Sequence, residues 1–264
     1  MGYATKSAKH SYAAQSPDTQ HTPTRHLFKH LFKEGELKGL IVLSLGGSII
    51  VPEKIDTVFL KKFRNFILRN VKRGRRFVII CGGGRTARNY IAAASEIKKV
   101  SAVDLDWIGI YATRLNAALI KSILKNVAFD DIPEDPTMKV KEANDAKVII
   151  AAGWKPGKST DYDAVLLART YGATIVVNLT DVDYVYDKNP KKHPDARPIK
   201  EMSWDYFRKI IGDKWTPGLS APFDPVAAKL AEKLKLTVFI LNGRNLENLD
   251  KCLEGKPFIG TIIH

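Results

Sequence analysis

Residues 77–88 read Phe77-Val78-Ile79-Ile80-Cys81-Gly82-Gly83-Gly84-Arg85-Thr86-Ala87-Arg88. Five apolar residues in a row, bounded by glycine, mark a short strand buried on both faces. The glycines stop that strand, and the residues behind them take up helical spacing. Such a junction suits an anion. Backbone N–H groups can approach a phosphate with no Cβ in the way, and the helix start adds unpaired amides and the positive end of its dipole. Arg85 and Arg88 supply two guanidinium groups with the geometry for phosphate. The plainer alternative, that the glycines only make a tight turn, would win for a single Gly-Gly pair.

The same design occurs upstream, where Leu40-Ile41-Val42-Leu43-Ser44-Leu45 runs into Gly46-Gly47-Ser48. Two glycine loops, each directly behind an apolar strand, favour phosphate binding. From there strands and helices alternate. Helical spacing covers residues 56–73, 87–98, 104–125, 162–171, 204–211, 225–235 and about 245–253. Apolar strands fall at 147–152, 173–179, 236–241 and 258–263. This order predicts an α/β fold, a mostly parallel open sheet with helices on both faces and ligands at the carboxyl ends of its strands. Residues 40–264 read as one domain of two lobes. Residues 1–39 read as a basic, flexible tail rich in Ser, Thr, His and Lys, with one amphipathic turn at Leu27, Phe28, Leu31 and Phe32.

Composition narrows the chemistry. The chain has 264 residues, 45% of them hydrophobic, and no apolar run long enough to span a bilayer. No signal-peptide pattern opens it, so a cytoplasmic location is expected. Cys81 and Cys252 lack metal-ligand spacing and read as buried thiols, and no metal-ligating set is expected. Four of the six histidines lie at 10, 21, 26 and 30, leaving His193 and His264 in the body, too few for a histidine triad or a zinc site. The formal charge of +14 is spread along helices and loops without a dense basic block, which makes nucleic acid a poor partner and anionic nucleotides a better one.

A third loop, Ala152-Gly153-Trp154-Lys155-Pro156-Gly157-Lys158-Ser159, misses the P-loop pattern only at Ala152. Pro156 argues against that reading, because it removes an N–H from a loop whose function depends on N–H groups.

Five pieces in order carry a resemblance. They are Gly46-Gly47-Ser48; Gly82-Gly83-Gly84 with Arg88; Asp106-Trp107-Ile108-Gly109-Ile110 followed by Thr113-Arg114-Leu115-Asn116-Ala117; Gly153 through Pro156-Gly157 to Ser159-Thr160-Asp161; and Thr180-Asp181-Val182-Asp183-Tyr184-Val185-Tyr186 ending at Asn189-Pro190. Asp224-Pro225-Val226-Ala227-Ala228-Lys229 follows as a late helix. From about Ile41 onward the chain resembles the archaeal-type UMP kinases of the amino acid kinase family. The resemblance implies transfer of the ATP γ-phosphate to UMP, with Mg2+ accompanying ATP, in a homo-oligomer (a hexamer). It implies that Gly47, Ser48, Gly84, Arg88, Thr180, Tyr186 and Asn189 bind ATP. Gly83, Asp106, Trp154, Lys155, Pro156, Gly157, Lys158, Ser159 and Thr160 bind UMP, with Asp106 on the ribose hydroxyls. Asp161 is the organising aspartate, and Arg88 and Lys158 supply catalytic charge. Phosphoryl transfer needs positioning and charge neutralisation more than a nucleophile, which suits a chain so poor in histidine.

The pattern is broken at three positions. Ser44 stands where many relatives carry a lysine, and Lys158 or Lys155 is the candidate to replace that charge. Tyr184 stands where a glycine is usual, and would be strained if φ there were positive. Asn189 stands where an aspartate is common. A nucleotide-binding storage or regulatory protein on the same fold, or a kinase for another small phosphate or carboxylate, therefore remains open at this level. Trp107 and Trp204 are expected in the core or an interface, Asp104 as a helix cap and Asp163 as a solvated carboxylate. Arg114 and Asn116 stand equally for helix packing or substrate contact.

Overall fold

The computed structural model describes residues 32–33, 36–37, 39–190, 192–212 and 222–264. The expected tail lies almost wholly outside them, as do Leu27, Phe28 and Leu31 of the expected amphipathic turn. Phe32 does not continue such a turn. β1 (Phe32–Lys33) pairs antiparallel with β2 (Glu36–Leu37), and Leu37 is buried.

The body starts with β3 (Leu40–Leu45), a four-residue helix α1 (Gly47–Ile50) and α2 (Thr57–Lys72). β4 (Arg76–Cys81), α3 (Gly84–Ile97) and α4 (Ala102–Ile123) follow. Next come β5 (Val148–Ala151), α5 (Thr160–Tyr171) and β6 (Ile175–Thr180). A small antiparallel pair, β7 (Val185–Tyr186) with β8 (Pro198–Ile199), precedes β9 (Glu201–Met202) and α6 (Trp204–Ile211). α7 (Pro225–Lys233), β10 (Thr237–Asn242), α8 (Leu246–Leu253) and β11 (Thr261–Ile263) complete the chain.

Seven strands form the main sheet in the order β5-β4-β3-β6-β10-β11-β9. β5 through β10 are parallel, β11 runs antiparallel to β10, and β9 is parallel to β11. The sheet is thus mixed and mostly parallel. Its topology places the site. The chain builds outward from β3 through β4 to β5, then returns to the other side of β3 with β6. The crevice at the carboxyl end of β3 is therefore the switch point where such sheets hold ligands.

Strand side chains alternate between two apolar layers. Ile41, Leu43, Phe77 and Ile79 pack with α2 and α8, whereas Val42, Val78 and Ile80 pack with α5 and α7. α2 fits its layer through Phe59, Phe63, Phe66 and Ile67 at three- and four-residue spacing, and Asp56 caps its start by accepting from Phe59 N at 2.9 Å. Trp204 is core as expected, with its ring nitrogen donating to Leu236 O. By contrast, α3 buries no residue and packs against α4 and the short α1.

Several elements start earlier than their sequence spacing indicates. α3 begins at Gly84, so the glycine loop itself supplies the first turn. α4 is capped by Ser101, whose hydroxyl accepts from Asp104 N and donates to the Asp104 carboxylate. Asp104 is therefore the partner three residues inside the cap, a capping-box arrangement, and not the cap itself.

Candidate active site

The two glycine loops interlock. A Cβ on Gly47 would overlap the Gly84 amide and stand 2.7 Å from the Gly83 nitrogen. A Cβ on Gly82 would in turn overlap Gly47 N. Only glycine permits this approach, which is set by β3 and β4 being adjacent and in register through Leu45 and Cys81. Gly84 also needs its freedom for a φ of +62°. Asn116, buried on α4, fixes the second loop from beneath by donating to Gly82 O at 2.7 Å and Gly83 O at 3.2 Å. Of its two expected roles, the structure gives it the packing one. Arg88 lies one turn into α3 and is exposed.

On one side of this seam lies a cavity of about 530 Å³. Ser48, Thr180, Tyr186 and Asn189 all line it, together with Ser44, Thr160, Asp161, Asn178 and Tyr184. One wall includes β7, whose pair with β8 is tied to the main sheet by Thr261, its hydroxyl accepting from Val185 N and donating to Ile199 O. Tyr184 meets Tyr186 edge to face, with ring centroids 6.4 Å apart. Among described non-glycine residues only Lys235 has a positive φ, so Tyr184 is unstrained and adds an aromatic wall instead.

The cavity floor is a polar network. Ser44 Oγ donates to Asp161 Oδ1 at 3.2 Å, and Asp224 N donates to Asp161 Oδ2 at 3.1 Å. Asp224 caps α7 through Val226 N and Ala227 N and accepts from the Ser159 hydroxyl. Ser159 is itself the cap of α5, accepting from Tyr162 N at 3.2 Å. Asp161 thus ties together the end of β3, the start of α5 and the start of α7. Burial pushes its carboxyl up to about 7; the Asp224 amide opposes that, and the Asp224 charge adds to it.

On the other side of the seam the segment 153–159 crosses from β5 to α5. Thr113 Oγ1 accepts from Gly153 N at 2.8 Å, Asp163 Oδ2 from Trp154 N at 3.1 Å, and Asp106 Oδ2 from Gly157 N at 2.7 Å. Gly157 takes a φ of +76°. With three of its amides committed to side chains, this loop cannot cradle a phosphate as a P-loop does, which removes that alternative. Lys155 Nζ stands 3.6 Å over the Trp154 ring, and Lys158 Nζ stands 4.3 Å over that of Tyr162. Asp163 is not solvated as its sequence position suggests. It is fully buried, because the first turn of α5 packs inward along with Ala164 and Val165.

The structure therefore separates the expected residues into two groups meeting at Gly47 and Gly84. Thr160, expected on the acceptor side, lines the opposite cavity. The anchoring roles of Thr113, Asp163 and Asp224 are missing from the sequence reading. The one available signal is an aspartate set directly before the apolar run Ala164-Val165-Leu166-Leu167-Ala168.

Comparison with known proteins adds to this geometry. The profile of the amino acid kinase family matches residues 39–242. The uridylate kinase of Methanospirillum hungatei is 35% identical over 224 residues, covering 84% of this chain and 94% of that protein. That of Sulfurisphaera tokodaii is 33% identical over 225 residues, covering 84% and 98%. Among solved structures, the uridylate kinase of Archaeoglobus fulgidus superposes with a TM-score of 0.74 at 32% identity, covering 85% of this chain and 99% of its own.

Proposed function

The chain belongs to the amino acid kinase family, and on that footing we propose that it moves the γ-phosphoryl group of ATP onto UMP, giving UDP and ADP. It is a UMP kinase. The observation that carries this reading is the contact between Gly47 and the second glycine loop. Two anion-binding loops in backbone contact suit two phosphates held face to face, which a transfer between nucleotides requires and a single-nucleotide store does not.

In this reading Gly47 and Ser48 hold the ATP phosphates. Thr180, Tyr186 and Asn189 line the donor nucleoside cavity, and Tyr184 extends its aromatic wall. Gly83 faces UMP, and Gly84 and Arg88 lie where the two phosphate chains meet. The segment 154–160 wraps the acceptor, with Asp106 on the ribose. Asp161 acts by position, keeping β3, α5 and α7 in register beneath the transferring group. Lys155 and Lys158 rest on aromatic rings and are the mobile charges of the acceptor side. They are suited to the charge that Ser44 does not supply.

Kinases take ATP together with a divalent cation, which we assign as Mg2+. Among the described residues no cluster of three or more His, Cys, Asp or Glu is placed to hold a metal. Asp161, Asp181 and Asp187 line the cavity and are the carboxylates that would help to hold such a cation brought in with ATP. It would supply charge neutralisation for the transferring phosphoryl group.

A homo-oligomer is supported by an apolar stripe on α4, and the hexamer rests on the family resemblance alone. Val103, Trp107, Tyr111 and Leu115, each four residues from the next, are 55%, 39%, 65% and 64% exposed. No described helix is long and apolar enough to cross a membrane. A cytoplasmic location is favoured by two buried free thiols. A coupled assay of ADP release with UMP, CMP and dUMP tests the function. Release that depends on UMP is expected, and its absence overturns the reading.

A further inference from the structure

Of the three side chains that accept from backbone amides of segment 153–159, Asp163 is the odd one. Thr113 and Asp106 stand on α4, whereas Asp163 comes from α5, two residues beyond Asp161. It is 0% exposed, and while Oδ2 accepts from Trp154 N, Oδ1 has no hydrogen-bond partner among the described residues. A buried carboxyl with one oxygen unmatched is unfavourable, and an apolar side chain would pack there without that penalty. Helix capping does not explain it, since Ser159 already caps α5. What it does uniquely is hold the Trp154 amide.

We propose that Asp163 is a positioning residue for the acceptor site, fixing the Trp154 backbone and thereby setting where the indole and the Lys155 ammonium above it stand relative to UMP. This rests on the reading of residues 154–160 as the acceptor loop. Two observations extend the role to charge placement. Lys155 Nζ sits 3.6 Å over the Trp154 ring, so the ring's position bears on where the ammonium rests. Burial pushes the Asp163 carboxyl up, and the Trp154 amide and the charge of Lys158, which lies over Tyr162 one residue before Asp163, pull against that rise. The acceptor loop is thus anchored by α4 at Gly153 and Gly157, by α5 between them and by Asp224 at Ser159. The α5 anchor sits at the position that orients the loop's aromatic residue.

The test compares the full chain with Asp163→Leu, which keeps the branched shape but removes the acceptor, and Asp163→Asn, which keeps an acceptor oxygen without charge. KM and kcat are measured for UMP and for ATP, and the UMP-induced change in tryptophan emission is recorded, with Trp154→Phe assigning the Trp154 component. The leucine variant is expected to raise the UMP KM about tenfold or more and leave the ATP KM within about twofold. It should also lose the Trp154 emission change, while the asparagine variant stays within about threefold of wild type on all counts. An unchanged UMP KM in a folded leucine variant overturns the proposal, as does a parallel rise in both KM values or an asparagine variant as impaired as the leucine one. Should the leucine variant not fold, Asp163→Ala takes its place with the same outcomes. A wild-type chain that does not turn over UMP overturns the acceptor reading itself, and this proposal with it.

Discussion

Gly47 lies against Gly84 so closely that one added methyl on the first would occupy the space of the second's amide nitrogen. The loops behind β3 and β4 are thereby a single backbone surface with two faces, one towards the cavity bounded by Tyr184 and Tyr186 and one towards the segment held by α4. Gly47→Ala should lower kcat/KM more than a hundredfold, since relieving the overlap must part the two loops, at a cost of about 3 kcal/mol or more. Gly74→Ala is the control for a glycine with open space around it and a φ of +86°. It should cost stability and leave turnover intact, as steady-state kinetics and thermal melts will show.

Arg88→Ala should cripple transfer without unfolding the chain. The side chain is exposed on a helix that buries nothing, so the melting temperature should scarcely move. Loss of a charge-assisted phosphate contact should reduce kcat/KM by about ten- to a hundredfold, or about 1.5–3 kcal/mol. Wild-type kinetics in this variant would place the second glycine loop outside the active site.

Asp106 has two possible uses that Asp106→Asn separates. Oδ2 already accepts from Gly157 N at 2.7 Å, which leaves Oδ1 for a ribose hydroxyl. If ribose recognition is its task, UMP should be favoured over dUMP by about ten- to a hundredfold, and the variant should narrow that gap. If it serves the loop alone, both nucleotides should weaken together and their kcat/KM ratio will not change.

Stability should fall as pH rises from about 4 to about 7. Burial pushes both Asp161 and Asp163 up to about 7, so the folded chain holds protons that the unfolded chain has released by pH 5. Where the folded state binds more protons, stability decreases with pH. Melting curves of wild type and Asp163→Asn across this window check the sign. The variant should gain relative to wild type as pH rises, and a constant difference would contradict the raised value for Asp163.

Tyr111→Glu with Leu115→Glu should break the assembly, because both side chains stand on the exposed α4 stripe more than 60% open in the single chain. Light scattering should show an oligomer for wild type and a 29.4 kDa species for the double variant. A wild-type chain that stays at that mass at all concentrations would remove the oligomer.

Much of the fold was legible because its central strands are apolar on both faces and end in glycine, a pattern that short helices do not share. The helix starts at Gly84 and Thr160 were read late, since glycine and polar first turns carry no apolar spacing; the hydrogen bonds that define them are visible only in three dimensions. β7, β8 and β9 escaped notice because two-residue strands leave no periodicity, and β9 gains its place only through β11. In the site, the glycines and cavity residues were legible as types in order. The anchors were not, because Thr113 accepts from a backbone amide 40 positions away and Asp224 from a hydroxyl 65 positions away, while Asp163 reaches back to the Trp154 amide, pairings that local sequence does not encode.

The position of β3 at the switch point has an evolutionary consequence. In the proposed reading, nearly everything on the acceptor side comes from one continuous stretch, β4 to the start of α5, and most of the cavity proposed for the donor comes from β6 onward. The two halves meet at the seam of β3 and its glycines and at the Ser159–Asp161–Asp224 network. Substitutions in the first stretch can therefore retune which small phosphate is accepted while the energy source stays the same. A lineage built on this sheet can diversify its substrates one half at a time, provided the seam glycines are kept.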